Sequence, residues 1–189
     1  MHLDERELAE VAESGATLVH NPESNSNNGV GRLDLQACDR TGVRLALGTD
    51  GMSGNMLRSL RAAFLGLRSG MRDPSLGFSI IPELLSANTR RAAELFAEPL
   101  LGSLQIGSPG DVVVVDQAPA TPVDDGNWFG HLVYGASESP VRHTIAGGRV
   151  VLEDFRHVGL DVEGLSREAQ TIAPALWERF RTLPPNAPR

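Results

Sequence analysis

Apolar positions in the first third of the chain follow two alternating rhythms. Leu8, Val11 and Ala12 form one stripe of a helix that opens at Asp4, with Glu7 at the capping-box position and Leu3 and Leu8 placed as a hydrophobic staple. Gly15 ends that helix. Ala16 to Val19 reads as a short buried strand, and Pro22 prevents it from continuing. The polar residues from His20 to Gly31 read as a loop at its carboxyl end. Leu33, Leu35 and Cys38 suit a short helix stopped by Gly42. Val43 to Leu47 is the next strand, which runs through Gly48 and Thr49 and delivers Asp50 into a glycine-rich turn. Met56, Leu57, Leu60, Ala63, Phe64 and Leu67 then recur at helical spacing, and the pattern predicts fraying at Ser69 and Gly70. Short, continuously apolar strands between helices predict a parallel sheet covered on both faces.

The pattern changes further on. Pro82, Leu84 and Leu85 predict a helix. Thr89 is placed to cap a second one that contains Ala92, Ala93, Leu95 and Phe96 and ends by Pro99. Residues 102–110 are rich in turn formers, and D-V-V-V-V-D (111–116) is a β-branched run. His131 to Tyr134 and Val141 to Ile145 read as further strands, and Gly147-Gly148 predicts a hairpin to Arg149–Leu152. Leu165 to Phe180 reads as a closing helix, with a loose tail at Pro184, Pro185 and Pro188. The division expected is 1–99 for the α/β part, 100–160 for a small β module, and 161–189 for the last helix and tail.

With 189 residues the chain can bury one sizeable core, but it falls short of the roughly 250 residues of a complete (β/α)8 barrel. Its opening, a helix directly after Met1 and His2, reads as a unit cut midway. A net charge of −7 and 5% aromatic residues argue against a nucleic-acid partner, which needs a clustered basic face and stacking rings. The single cysteine, Cys38, cannot form an intramolecular disulfide and falls among helical apolar positions, where it reads as core filler. With no signal-peptide pattern or long apolar run, a cytoplasmic location and no membrane partner are expected.

The candidate chemistry lies at the strand ends. Open sheets and barrels present catalytic groups where a buried strand releases a polar residue. The functional face is therefore expected to carry His20, Asn25, Asp50 and Asn55, with Asp50 as the catalytic candidate and His20, Asn25 and Asn55 as substrate-binding candidates. Each has a plainer alternative: a turn or helix cap for Asp50, a hydrogen-bonded structural histidine for His20, a braced loop for Asn25. Asn28-Gly29-Val30-Gly31 has no Lys-Ser/Thr and is not a phosphate loop. His131, His143 and His157 lack ligand spacing and read as surface or packing residues. Asp124 and Asp125 read as solvated.

Taken together, these segments resemble a known family. V-H-N-P-E-S-N-S-N-N-G-V-G followed by L-G-T-D-G-M looks like the C-terminal part of the amidohydrolase superfamily. G-S-L-Q-I-G-S-P-G-D-V-V-V-V-D, A-T-P-V, N-W-F-G-H-L-V-Y-G and T-I-A-G-G-R-V-V agree. The resemblance is to the cytosine-deaminase-like branch, which includes guanine and S-adenosylhomocysteine deaminases and triazine hydrolases, and within it to SsnA-type aminohydrolases. It implies an α/β fold: a partial (β/α)8 TIM barrel made of the last βα units, plus part of a small β-sandwich (composite) domain. Asp50 matches the family's strand-8 aspartate, which binds the metal and takes a proton from metal-bound water. The metal implied is a divalent ion, zinc or iron. His20 and Asn25 match the strand-7 motif that shapes the substrate pocket, and His2 matches the second, variable histidine of the strand-6 H-x-x-H-L motif. The H-x-H pair, the strand-5 histidine, the H-x-x-E glutamate and the first strand-6 histidine have no match. The function implied is hydrolysis of a C–N bond, a deamination, of a small heterocyclic substrate by an enzyme of which this chain is a fragment, inactive alone. Hydrolysis of a cyclic amide or a carbon–halogen bond is the alternative within the superfamily. A third alternative is a non-catalytic module that pairs with itself as a homo-oligomer or with a separate N-terminal polypeptide.

Overall fold

Asp4 caps the first helix as its sequence predicts. Its side chain accepts from the Glu7 backbone N–H, and the Glu7 carboxylate accepts from the Asp4 N–H. The computed structural model describes residues 3–183; His2 and the proline tail at 184, 185 and 188 lie outside them. Helix α1 (Glu5–Glu13) leads into strand β1 (Thr17–His20), which pairs in parallel with β2 (Arg44–Leu47) in the register Leu18↔Leu45 and His20↔Leu47. Side chains alternate across a strand. Leu18, Leu45 and Leu47 pack into the helix-covered core, and His20, in register with Leu47, faces the same way. Val19 and Ala46 point to the opposite face, where Val19 is exposed.

The residues after β1 do not stay a loop. Pro22 takes the first position of a short helix, α2 (Pro22–Asn27), where its missing N–H is no loss because that donor has no intrahelical partner. Helix α3 (Leu35–Thr41) is capped by Asp34 and stopped by Gly42 in the left-handed conformation. Helix α4 (Met56–Met71) does not fray at Ser69 and Gly70 but ends at Arg72. A Cβ on Gly70 would fall on the Arg32 guanidinium, so the glycine lets that side chain lie along the helix.

The stretch after Pro82 is one helix, not two: α5 (Ile80–Phe96), with Thr89 inside it. Pro82 is its third residue, within the first turn, where proline removes no intrahelical bond. The helix runs on because Ile81 and Leu84 bury against the core while Asn88, one turn further, grips β2. The Asn88 amide accepts from Leu47 N–H at 2.7 Å and donates to Leu47 C=O at 2.8 Å.

Residues 131–134 are helical, not a strand. They close α6 (Trp128–Tyr134), whose Phe129 and Val133, four apart, enter the buried cluster of Leu8, Leu35, Leu60, Phe64 and Ile81. Helical spacing of two buried positions outweighs the β-branched and aromatic composition of the segment. Strands β3 (Val112–Val115), β4 (Val141–Ala146), β5 (Arg149–Glu153) and the two-residue β6 (Arg156–His157) form an antiparallel sheet in sequence order. The hairpin turns at Gly147 and Gly148, both at positive φ, as a type I′ geometry requires. Helix α7 (Val162–Thr182) buries none of its residues. Among the described residues, no helix is long and apolar enough to cross a membrane.

Candidate active site

Asp50 stands where β2 runs out, at a φ of 51° that few side chains other than Asn and Asp adopt. Its two carboxylate oxygens are held separately. Oδ1 accepts from the Gly51 N–H at 2.8 Å, and Oδ2 accepts from the Ser24 hydroxyl at 2.7 Å. Ser24 is 4% exposed and comes from α2 at the end of the neighbouring strand. It accepts in turn from the Asn28 amide at 3.2 Å, so its hydroxyl both donates and accepts. Asn28, Ser24 and Asp50 thus form a short relay across two strand ends. Asp50 itself is exposed, so the carboxylate is steadied without being taken out of water.

Gly48 brings the two strand ends together. Its N–H donates to His20 C=O at 2.8 Å, adding a rung beyond the paired strands, and its C=O accepts from the buried Ser59 hydroxyl at 2.6 Å. A Cβ here would collide with the Asn21 amide oxygen and lie 2.6 Å from Val19 Cγ1. Gly48→Ala should therefore shift the rung beneath Asp50 and cost about 1–3 kcal/mol, the usual range for overpacking, read from the urea midpoint.

His20 is 3% exposed, and its Nδ1 is buried without a hydrogen-bond partner. Burial pushes its pKa down from 6.5 to about 4. Between those values the unfolded imidazole carries a proton that the folded one refuses, so stability falls as pH drops from 6.5 towards 4. The loss over that window is about 3 kcal/mol. Urea midpoints measured from pH 7 to 4 should fall more steeply for the wild type than for His20→Gln, which has nothing to titrate there.

His20 and Asn25 meet on one cavity between α2 and α4, and the buried Asn25 Nδ2 has no partner either. Asp50 does not line that cavity; it lies against Ser24 on the other side of α2. Asn55 lies elsewhere again. Its side chain caps α4 by accepting from the Arg58 N–H, and it borders a polar cleft with Glu23 and Arg58. Arg58 Nε meets Glu23 Oε1 at 2.9 Å, while Glu23 Oε2 is buried and unpartnered. Ser24 and Glu23 do not stand out by residue type or spacing alone. The signal for both was Pro22 at a helix start, which turns the residues after it towards the next strand's end. Cys38 is fully buried, and burial raises its thiol to about 11, consistent with core packing.

A metal centre needs more than this. Catalytic zinc normally takes three protein ligands. Among the described residues, no three His, Cys, Asp or Glu side chains come together in a group that could hold a metal ion. Asp50 offers one carboxylate, so these residues by themselves do not fit the metal.

The chain is similar to known proteins along most of its length. It is 32% identical over 176 residues to the 5-methylthioadenosine/S-adenosylhomocysteine deaminase of Syntrophobacter fumaroxidans, which covers 90% of this chain and 40% of that protein. It is 35% identical over 187 residues to the enzyme of the same name from Halobacterium salinarum, covering 95% and 42%. The fold matches the zinc-bound crystal structure of an adenosine deaminase from Xanthomonas campestris with a TM-score of 0.74 at 27% identity, covering 96% of this chain and 41% of that one. The chain thus spans about two fifths of the length of the relatives it matches. The amidohydrolase family model matches residues 1–151, which take in both parallel strands and the turn that carries Asp50. The chain belongs to the amidohydrolase family.

Proposed function

We propose that this chain supplies the acid-bearing strand ends of a cytoplasmic, metal-dependent aminohydrolase that deaminates a small heterocyclic substrate by hydrolysis. The observation that carries the reading is Asp50, released at the end of a buried parallel strand and held by Ser24 from its neighbour. The names of the deaminase relatives support the reaction class. In this reading β1 and β2 are the last two strands of a partial (β/α)8 barrel, residues 1–99. The antiparallel sheet of residues 100–160 is part of a composite β-sandwich, followed by the C-terminal helix and tail, 161–189.

Asp50 would serve as the general base towards the attacking water and would supply one ligand of a divalent zinc or iron ion, which would lower the pKa of bound water. The other ligands come from polypeptide beyond the described residues, since one carboxylate does not make the site. Asn55 contacts substrate at the rim. His20 and Asn25, which line one cavity beside α2, are the other substrate-binding candidates. Leu176, Trp177 and Phe180 on α7 are each more than half exposed, which supports pairing with further polypeptide.

Turnover of 5′-methylthioadenosine tests the reading. The chain alone should give no deamination. A chimera in which the N-terminal part of the Syntrophobacter fumaroxidans deaminase precedes this chain should restore it. Deamination by the unaided chain would overturn the need for further ligands.

A further inference from the structure

The two residues that lead into the Asp50 turn have every backbone polar group taken, three of the four by side chains. Leu47 N–H donates to Asn88 Oδ1 at 2.7 Å, and Leu47 C=O accepts from Asn88 Nδ2 at 2.8 Å. Gly48 N–H donates to His20 C=O at 2.8 Å, and Gly48 C=O accepts from the Ser59 hydroxyl at 2.6 Å. Thr49 alone separates these residues from Asp50.

The Asn88 contact has the form of a strand pairing. Successive residues of a strand turn their N–H and C=O groups to opposite edges. Gly48 turns its N–H towards β1, so Leu47 turns both of its groups to the outer edge of β2. A primary amide carries the same donor and acceptor as a peptide group. Asn88 therefore takes the place of one residue of a neighbouring strand. Among the described residues β2 pairs with β1 alone, so this clamp needs no further strand. Its base is firm, because Ile81 and Leu84 bury the preceding turns of α5 in the core.

A single hydrogen bond between a strand end and a side chain adds little net stability. Two bonds to one planar amide also fix the direction of the peptide plane. That matters here, because Asp50 sits at a φ of 51°, a conformation that a residue with a side chain keeps only where its surroundings over-determine it.

We propose that Asn88 is a positioning residue for Asp50: by holding the Leu47 peptide groups at the outer edge of β2, it fixes the direction in which the strand releases the acid. Ser24 holds the carboxylate, and Asn88 holds the backbone that carries it, with Ser59 completing the brace from α4. The inference rests on the reading of Asp50 as the acid of a hydrolytic site. It adds that this chain sets the stance of the acid by itself, whatever supplies the other ligands.

Hydrogen exchange and a double-mutant cycle test it. In the 189-residue chain, followed by NMR, the Leu47 N–H should exchange slowly. In Asn88→Ala it should exchange about tenfold faster, and the Gly51 N–H resonance should shift, while the amides of α1 keep their protection. In the deaminase chimera, Asn88→Ala should lower kcat by about 10–100-fold and leave KM within about twofold. Added to Asp50→Asn, the same change should alter kcat by less than about twofold, because the acid it positions is already gone. A brace of the fold alone would lower kcat by the same factor in both backgrounds. Should Asn88→Ala fail to fold, Asn88→Asp has the same size and keeps the acceptor for Leu47 N–H while giving up the donor. The same cycle is expected of it, with a smaller loss. A fast-exchanging Leu47 N–H in the wild type, an unmoved Gly51 resonance, an unchanged kcat, or equal losses in both backgrounds would overturn the proposal. If Asp50→Asn itself spares kcat, the catalytic reading of Asp50 fails, and the role of Asn88 falls with it.

Discussion

Asp50→Asn, placed in the restored chimera, is expected to lower kcat by about 10²–10⁴-fold, the usual contribution of a positioned general base. The substitution is nearly isosteric and keeps the bulk and reach of the side chain. The side chain is exposed, and an asparagine oxygen can still accept from the Ser24 hydroxyl, giving up only the exposed bond from the Gly51 N–H. Stability should therefore stay within about 0.5 kcal/mol of wild type. That separation of effects is the point of the test, because a residue that merely braced the turn would change stability and spare the rate. Ser24→Ala is the companion variant. It keeps the carboxylate and removes its buried donor, so a smaller loss of about 10–100-fold is expected, as for residues that orient a reacting group. If kcat survives Asp50→Asn, Asp50 braces the turn and no more.

Phe64→Ala is expected to destabilise the fold by about 3–5 kcal/mol, read from urea unfolding. Phe64 is fully buried at the centre of the core. Its ring meets Phe78, Phe129 and Tyr134 edge-on, with centroids 5.3, 5.7 and 5.7 Å away, and the Arg68 guanidinium lies 4.4 Å from its centroid. Gly77, at a φ of 100°, lets the chain pass so close that a Cβ there would come within 2.7 Å of the ring. This ring joins α4 to α6, so its removal should also loosen the contact between the parallel-strand half and the residues leading into the antiparallel sheet. A loss below about 1 kcal/mol would mean that the two halves are held together elsewhere. Against a typical total of about 5–15 kcal/mol, the expected loss is a large part of the whole.

What could be read in advance followed the physics of local pattern. The Asp4–Glu7 capping box, the left-handed stop at Gly42, the two short parallel strands and the double-glycine hairpin are set by residues near one another in sequence. They are present in the structure as expected. The misreadings came where distant contacts decide. Nothing local says that Asn88 grips the end of β2, and that grip helps make Ile80–Phe96 a single helix through Pro82 and Thr89. Nothing local says that Phe129 and Val133 have Phe64 to pack on, which makes 128–134 helical. The candidate site was legible in the same measure. Asp50 at the strand end could be picked out, but its donor Ser24 lies 26 residues earlier and needed the register of β1 against β2 to come into reach. His20 and Asn25 could be named together. That they face away from Asp50, across α2, follows from His20 sharing the helix side with Leu47, a parity fixed only by the pairing.

The most direct measurement is the zinc content of the 189-residue chain after equilibrium dialysis against micromolar zinc, read by mass spectrometry of the metal. The predicted result is far less than one zinc per chain, unchanged by Asp50→Asn. One tightly held zinc per chain, lost in Asp50→Asn, would mean that these residues build the centre unaided, and would contradict the claim that Asp50 is one ligand of a site completed from elsewhere.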